Sequence, residues 1–222
     1  MILAHWHRLK EEQVPFEGVE FVKSQAFTTG GSGTINFTLT GIESGDLVLA
    51  TCSSDGNNFG TISGWTLIAD GGGIHDAAFY YRFSTGTSIN ITSNDDKSNV
   101  ILTAFRNVNS TTPLDVTPPS LVSVSSTQTT PASITTTNDG CMLVVQLGVD
   151  DIDATSTSPP TGYTLGGSSF DSFTDGEESE PASALIFYKE QASAGTDSPS
   201  TITYSTGGSE HSHCLTLALR PA

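Results

Sequence analysis

A chain of 222 residues with 36% hydrophobic and 14% charged residues is long enough for one large β-domain or two small ones, so core size does not limit it. Acidic residues number 24 against 8 Lys and Arg, a formal charge of −16; a field of that sign repels phosphate backbones and anionic lipid and disfavours nucleic-acid and membrane-surface binding. Ser, Thr, Gly, Asn and Pro fill much of the rest, and these residues suit turns and strand surfaces, so a short-stranded β-protein is expected.

Residues 1–17 differ in character from the rest of the chain. They carry His5, Trp6, His7, Arg8, Leu9 and Lys10, then Val14 and Phe16: a basic cluster with scattered apolar side chains on an acidic protein. Residues 5–13 suit about two helical turns, too short to be stable without a partner surface. The segment reads as a docking arm, with an unstructured terminus as the plainer alternative. The basic residues break any apolar run, so no secretory signal is expected there, and no stretch of the chain is long enough for a membrane-spanning helix.

From Val19 the apolar period becomes two. Ile35, Phe37 and Leu39 alternate with polar residues, as on a half-buried strand. Leu47, Val48, Leu49, Ala50 and Cys52 form a nearly continuous apolar run, expected of a central strand covered on both faces or packed tightly on one. Trp65 to Ala69, the aromatic run around Phe79, Tyr80 and Tyr81, the pair Ile89 and Ile91, and the run from Val100 to Phe105 complete a first set. Pro113, Pro118 and Pro119 mark a connector rather than a central strand. Leu121, Val122 and Val124 then begin a second set, continued by Ile134, the run 140–147, Tyr163, residues 184–188, 202–204 and 214–219.

The two sets repeat one another. Gly45-Asp46-Leu47-Val48-Leu49-Ala50, Gly64-Trp65-Thr66-Leu67 and Phe79-Tyr80-Tyr81-Arg82 return as Gly140-Cys141-Met142-Leu143-Val144-Val145, Gly162-Tyr163-Thr164-Leu165 and Ile186-Phe187-Tyr188-Lys189. Ala218-Leu219-Arg220 stands where Ala104-Phe105-Arg106 stood. The expected architecture is all-β: a jelly-roll-like β-sandwich of two duplicated halves, 18–117 and 118–222, behind the arm 1–17. One merged domain is favoured over two tandem sandwiches, because each half alone has a small core.

Gly45 to Ala50, Gly64 to Leu67, Tyr80 to Arg82 and Ala218 to Pro221 resemble a large, loosely defined set of β-sandwich modules of bacteriophage virions and some bacterial surface proteins. The resemblance implies a non-enzymatic structural role on the virion surface, as a capsid decoration or cement protein or as a tail or head fibre module. It implies other virion proteins as partners, capsid or tail subunits, and a homo-oligomeric or multi-copy state. It carries no catalytic signature. A carbohydrate-binding or host-adhesion module is the alternative, with glycan contacts from the loops holding Asn57, Asn58, Asp150, Asp151 and Asp153.

The chemistry-bearing residues are sparse in pattern. His211 and His213 share a strand face but have no fixed third ligand, so exposed strand-end histidines are the simpler reading. Asp150, Asp151 and Asp153 are weak calcium candidates; the spacing lacks the glycine and terminal glutamate of an EF-hand, and a solvated acidic loop is the plainer reading. No Gly-x-Ser-x-Gly elbow is present, and Gly30-Gly31-Ser32-Gly33 and Gly71-Gly72-Gly73 lack the helix and lysine of a phosphate cradle. No cofactor is expected. Cys52, Cys141 and Cys214 cannot all pair, and Cys52 and Cys214 lie in apolar runs as small buried hydrophobes. Trp65, Tyr80, Tyr81, Tyr163 and Tyr188 would stack on sugars if exposed, but their recurrence in both halves points to the core.

Overall fold

The computed structural model describes residues 17–29, 35–55, 59–72, 75–93, 98–150, 157–170, 182–204 and 210–222. Every regular element among them is a strand. Strands β1 (Glu20–Thr29), β7 (Ser98–Arg106), β3 (Leu47–Asp55), β5 (His75–Phe83) and β4 (Thr66–Asp70) form one antiparallel sheet in that order. Strands β12 (Thr164–Phe170), β13 (Ser183–Gln191), β11 (Cys141–Val149), β16 (Glu210–Leu219) and β8 (Val122–Ser126) form the other. The sequence order maps one sheet onto the other: β1, β7, β3, β5 and β4 hold the places of β8, β16, β11, β13 and β12.

The two sheets pack face to face. Leu47, Leu49, Phe79, Ile101 and Phe105 of the first meet Met142, Val144, Ile186, Leu215 and Leu217 of the second in one cluster. Phe21 stacks on Tyr188 across it, with ring centroids 4.4 Å apart. The opposite faces are covered too. The pair β2 (Ile35–Thr40) and β6 (Ser88–Ser93) lays Phe37, Leu39, Ile89 and Ile91 over Val48, Ala50, Tyr80 and Leu102. On the second sheet, β10 (Ile134–Thr135) with β14 (Thr196–Asp197) and β9 (Gln128–Thr129) with β15 (Ile202–Thr203) bring Ile134, Ile202 and Tyr204 against Leu143, Val145 and Phe187. The protein is therefore an all-β sandwich with covered outer faces, and this explains the unbroken apolar runs. Odd residues of β3 face the shared core, even residues face the cover, and residues 47–50 are all 0% exposed.

Glycine sets the matching turns. Gly45 and Gly140 enter β3 and β11 at φ of 96° and 70°, and Gly64 and Gly162 precede β4 and β12 at 80° and 82°. Only glycine takes these values without strain. Each following strand carries a bulge at the same place, between Leu67 and Ala69 and between Leu165 and Gly167.

The registers define two ends. At one lie Glu20, Leu47, Phe83, Arg106, Cys141 and Leu219, and the chain enters there, with the Val19 N–H donating to the Gly140 carbonyl at 3.1 Å. At the other lie Thr29, Asp55, His75, Ser98, Val149, Phe170, Ser183 and Glu210. The core becomes polar and tight toward this second end. The Ser169 hydroxyl on β12 lies 2.9 Å from the Phe27 carbonyl and 2.8 Å from Asn99 Oδ1, two acceptors for its single proton, and Asn99 Nδ2 donates to the Ala182 carbonyl at 2.7 Å. Deeper in, Gln146 Nε2 donates across the sheets to Thr51 Oγ1 at 2.7 Å. Each bond satisfies a buried polar group that would otherwise cost about 1–3 kcal/mol.

Candidate functional site

The arm residues His5, Trp6, His7, Arg8, Leu9, Lys10, Val14 and Phe16 lie outside the described residues, as do Asn57, Asn58, Asp151 and Asp153. Asp150 is described. It sits just past β11, 7% exposed, its N–H donating to the His211 carbonyl at 2.9 Å. Asp55 and Val149, the last residues of the strands preceding the loop candidates, lie at the second end of the sandwich, opposite the end where residue 17 enters.

His211 and His213 share a strand but not an environment. His211 is exposed, whereas His213 is 6% exposed, accepts or donates a 2.8 Å bond at Nδ1 with Ser123 Oγ, and lays its ring on the backbone of Gly71. A Cβ at Gly71 would stand 2.6 Å from that ring, so glycine is required by a close contact between the two halves. Among the described residues, no group of three or more His, Cys, Asp or Glu is placed to hold a metal.

Trp65 and Tyr163 are core residues, each 7% exposed, and each bonds to its sheet's outer cover. Trp65 Nε1 donates to the Asn90 carbonyl at 3.0 Å; the Tyr163 hydroxyl donates to Asp197 at 2.8 Å. The three cysteines are buried and unpaired with one another. Burial pushes the Cys141 thiol up to about 11 and raises Cys52 and Cys214 further, so none supplies a thiolate near neutral pH.

Two polar constellations were not foreseen from the sequence. The first is Asp76, 1% exposed at the start of β5. Its carboxyl accepts the Phe59 N–H at 2.8 Å and the Gly72 N–H at 3.0 Å, and Gly72 also donates to Asp70 at 3.2 Å. Burial pushes Asp76 up to about 6, with the neighbouring Asp70 carboxyl adding to the rise and the two backbone donors opposing it.

The second lies at the entry end, where the two halves diverge at one position. In the first half Asp46, 2% exposed, binds Arg106 through both oxygens, Nε to Oδ1 at 2.9 Å and Nη2 to Oδ2 at 3.0 Å. In the same place of the second half stands Cys141, whose thiol donates to the Asn138 carbonyl. Arg220, the counterpart of Arg106, is thereby left without that carboxylate and reaches Thr112 Oγ1 at 3.3 Å with Nη1 alone. It lines an open cleft of about 430 Å³ with Asn109, Asn138, Asp139, Pro221 and Ala222.

The walls of this cleft are fixed by the backbone. Asn109 N–H donates to the Arg220 carbonyl at 2.9 Å, Arg220 N–H to the Pro113 carbonyl at 2.9 Å and Ala222 N–H to the Asn107 carbonyl at 2.8 Å. The side chains are pinned as well. Asn109 Oδ1 accepts from Thr111 N–H, Thr112 N–H and the Thr112 hydroxyl; Asn138 Nδ2 donates to Asp115 and Thr137; Asp139 Oδ1 accepts the Ala194 N–H at 2.7 Å. Burial of Asp115 would raise its pKa, but the bonds from Thr137 and Asn138 outweigh it and hold the group below its usual value. The signal for this cleft was present in the sequence as a mismatch between two otherwise similar stretches, Asp46 before Leu47 and Cys141 before Met142.

Comparison with protein-family models, with curated proteins and with solved structures gave no match.

Proposed function

We propose that the chain is a non-enzymatic structural component of a bacteriophage virion, a capsid decoration or cement protein or a fibre module, exposed on the particle and docked by residues 1–17 on a neighbouring capsid or tail subunit. The observation that supports this reading is the polarity of the sandwich. The chain enters at the end marked by Val19 and Gly140, and β1, β3, β11 and β12 run from there toward the opposite end, where β5, β7, β13 and β16 begin. A projecting module needs an attachment segment at one end, a free end opposite it, and a stiff body between them. The cross-sheet bonds of Ser169, Asn99 and Gln146 supply the stiffness.

Deleting residues 1–16 tests the reading. The shortened chain keeps the Glu17 contact to Asn107, and its expected behaviour is an unchanged thermal transition with loss of the protein from particles separated by gradient sedimentation. Particles that still carry the shortened chain at full copy number would remove the arm from the mechanism; absence of the full-length chain from particles would remove the virion role itself.

A further inference from the structure

We infer that the cleft between Asn109, Asp139 and Arg220 is a binding site for a neutral saccharide, recognised through vicinal hydroxyls. The inference stands apart from the virion reading and places a ligand at the entry end rather than on the loops of the opposite end.

The first argument is what the pinned side chains leave over. Asn109 engages three donors with its Oδ1 and keeps its amide N–H₂; Asn138 engages its amide N–H₂ and keeps Oδ1; Asp139 engages Oδ1 and keeps Oδ2; Arg220 engages Nη1 and keeps Nε and Nη2. Among the described residues these remaining atoms have no partner. The residues lining the cleft therefore leave two donor groups and two acceptor groups unengaged, three of them on side chains already held by the fold, so little rotamer entropy is lost on binding. Hydroxyls on adjacent ring carbons each donate and accept, and planar carboxylate, amide and guanidinium groups engage two of them at once.

The second argument is charge. One guanidinium faces the cleft with one carboxylate, and Asp115 lies directly behind Asn138. The chain as a whole carries −16. An anionic ligand would gain Arg220 and meet two carboxylates in an acidic field, whereas a neutral polyol meets no net penalty. The third argument is size: 430 Å³ falls within the roughly 300–1,000 Å³ of small-molecule sites. Cys141 stands where the other sheet has Asp46, so Arg220 has no carboxylate like the one that holds Arg106.

The test is a titration of the ¹⁵N-labelled full chain with glucose, galactose, mannose, N-acetylglucosamine and glucuronate, followed by side-chain and backbone amide shifts. The expected result is saturable movement of the Asn109 and Asn138 side-chain signals and the Arg220 Nε signal by at least one neutral sugar, with a Kd on the order of millimolar. Arg220→Gln should weaken it about tenfold or more at unchanged Tm, and Asp139→Ala and Asp139→Asn should weaken it as much, Asp139→Ala with the lower Tm that loss of the Ala194 N–H bond entails. Asp139→Asn, which retains the acceptor for the Ala194 N–H, keeps the question answerable if Asp139→Ala loosens the turn. The inference fails if no sugar moves these signals saturably up to about 100 mM, a hundred times a millimolar Kd. It fails equally if the shifts survive both substitutions, or if glucuronate binds more tightly than glucose.

Discussion

Asp76 accepts two backbone N–H groups while almost wholly removed from water, beside the carboxyl of Asp70 and within reach of Cys52 and Tyr80. The donors favour its anion; burial and Asp70 favour the acid, and the acid wins, raising the group from 3.8 to about 6. A carboxyl whose pKa is raised by folding contributes stability that is complete below its unfolded value and is lost as pH rises through the folded one. The sandwich is thus expected to lose about 2–3 kcal/mol from this group between roughly pH 4 and pH 7. Urea unfolding at a series of pH values, for the wild type and for Asp76→Asn, reads this directly: the difference between the two should shrink or reverse as pH rises. A constant difference across the range would show that Asp76 does not hold its proton. Nothing in the sequence singles out Asp76, because alternation along β5 cannot reveal that the N–H groups of Phe59 and Gly72 meet its carboxyl. Trp65 and Tyr163 were legible for the opposite reason: both halves need a large ring at that place, and each ring found a partner in its cover.

At the scale of elements, the strands were legible wherever burial imposed a pattern and obscure wherever two sheets merely touch. Leu47 to Ala50 stood out because both neighbouring layers are apolar. Ser53, Ser54, Asn99, Ser169 and Ser183 did not, because they read as strand-surface residues and yet are buried at the tight end of the sandwich. The two-residue strands β9, β10, β14 and β15 are too short to show a period at all. Gly148 is the sharpest case of this hidden packing. A Cβ there would lie 2.5 Å from Ala77 Cβ and 3.3 Å from Ser53 Oγ, atoms fixed on the facing sheet rather than at the end of a flexible side chain. Gly148→Ala must part the sheets and is expected to cost about 2–3 kcal/mol or more, at the upper end of overpacking costs. Ala77→Gly should recover a large part of that loss in the double variant, a coupling that independent sites would not show. Equilibrium unfolding of the four proteins in that cycle gives the answer, and simple additivity would mean that β11 and β5 are not in contact as described.

For the whole molecule, the arrangement of the cores decides how the halves depend on each other. Each sheet has its own cover and its own outer cluster, but the cluster between the sheets draws on both: Leu49, Phe79 and Ile101 from the first half, Val144, Ile186 and Leu217 from the second. A half on its own would expose that entire apolar face, and sheets with such a face associate or aggregate rather than remain monomeric. The full chain is therefore expected to unfold in a single transition, with the fluorescence of Trp65 in the first half tracing the same curve as the far-ultraviolet circular dichroism of both. Residues 18–117 and 118–222, produced separately, should not fold as monomers, and mixing them should restore a soluble complex with the buried Trp65 signal. A monomeric half with its own cooperative transition, or two separated transitions in the full chain, would show that the shared cluster adheres two finished domains instead of completing them.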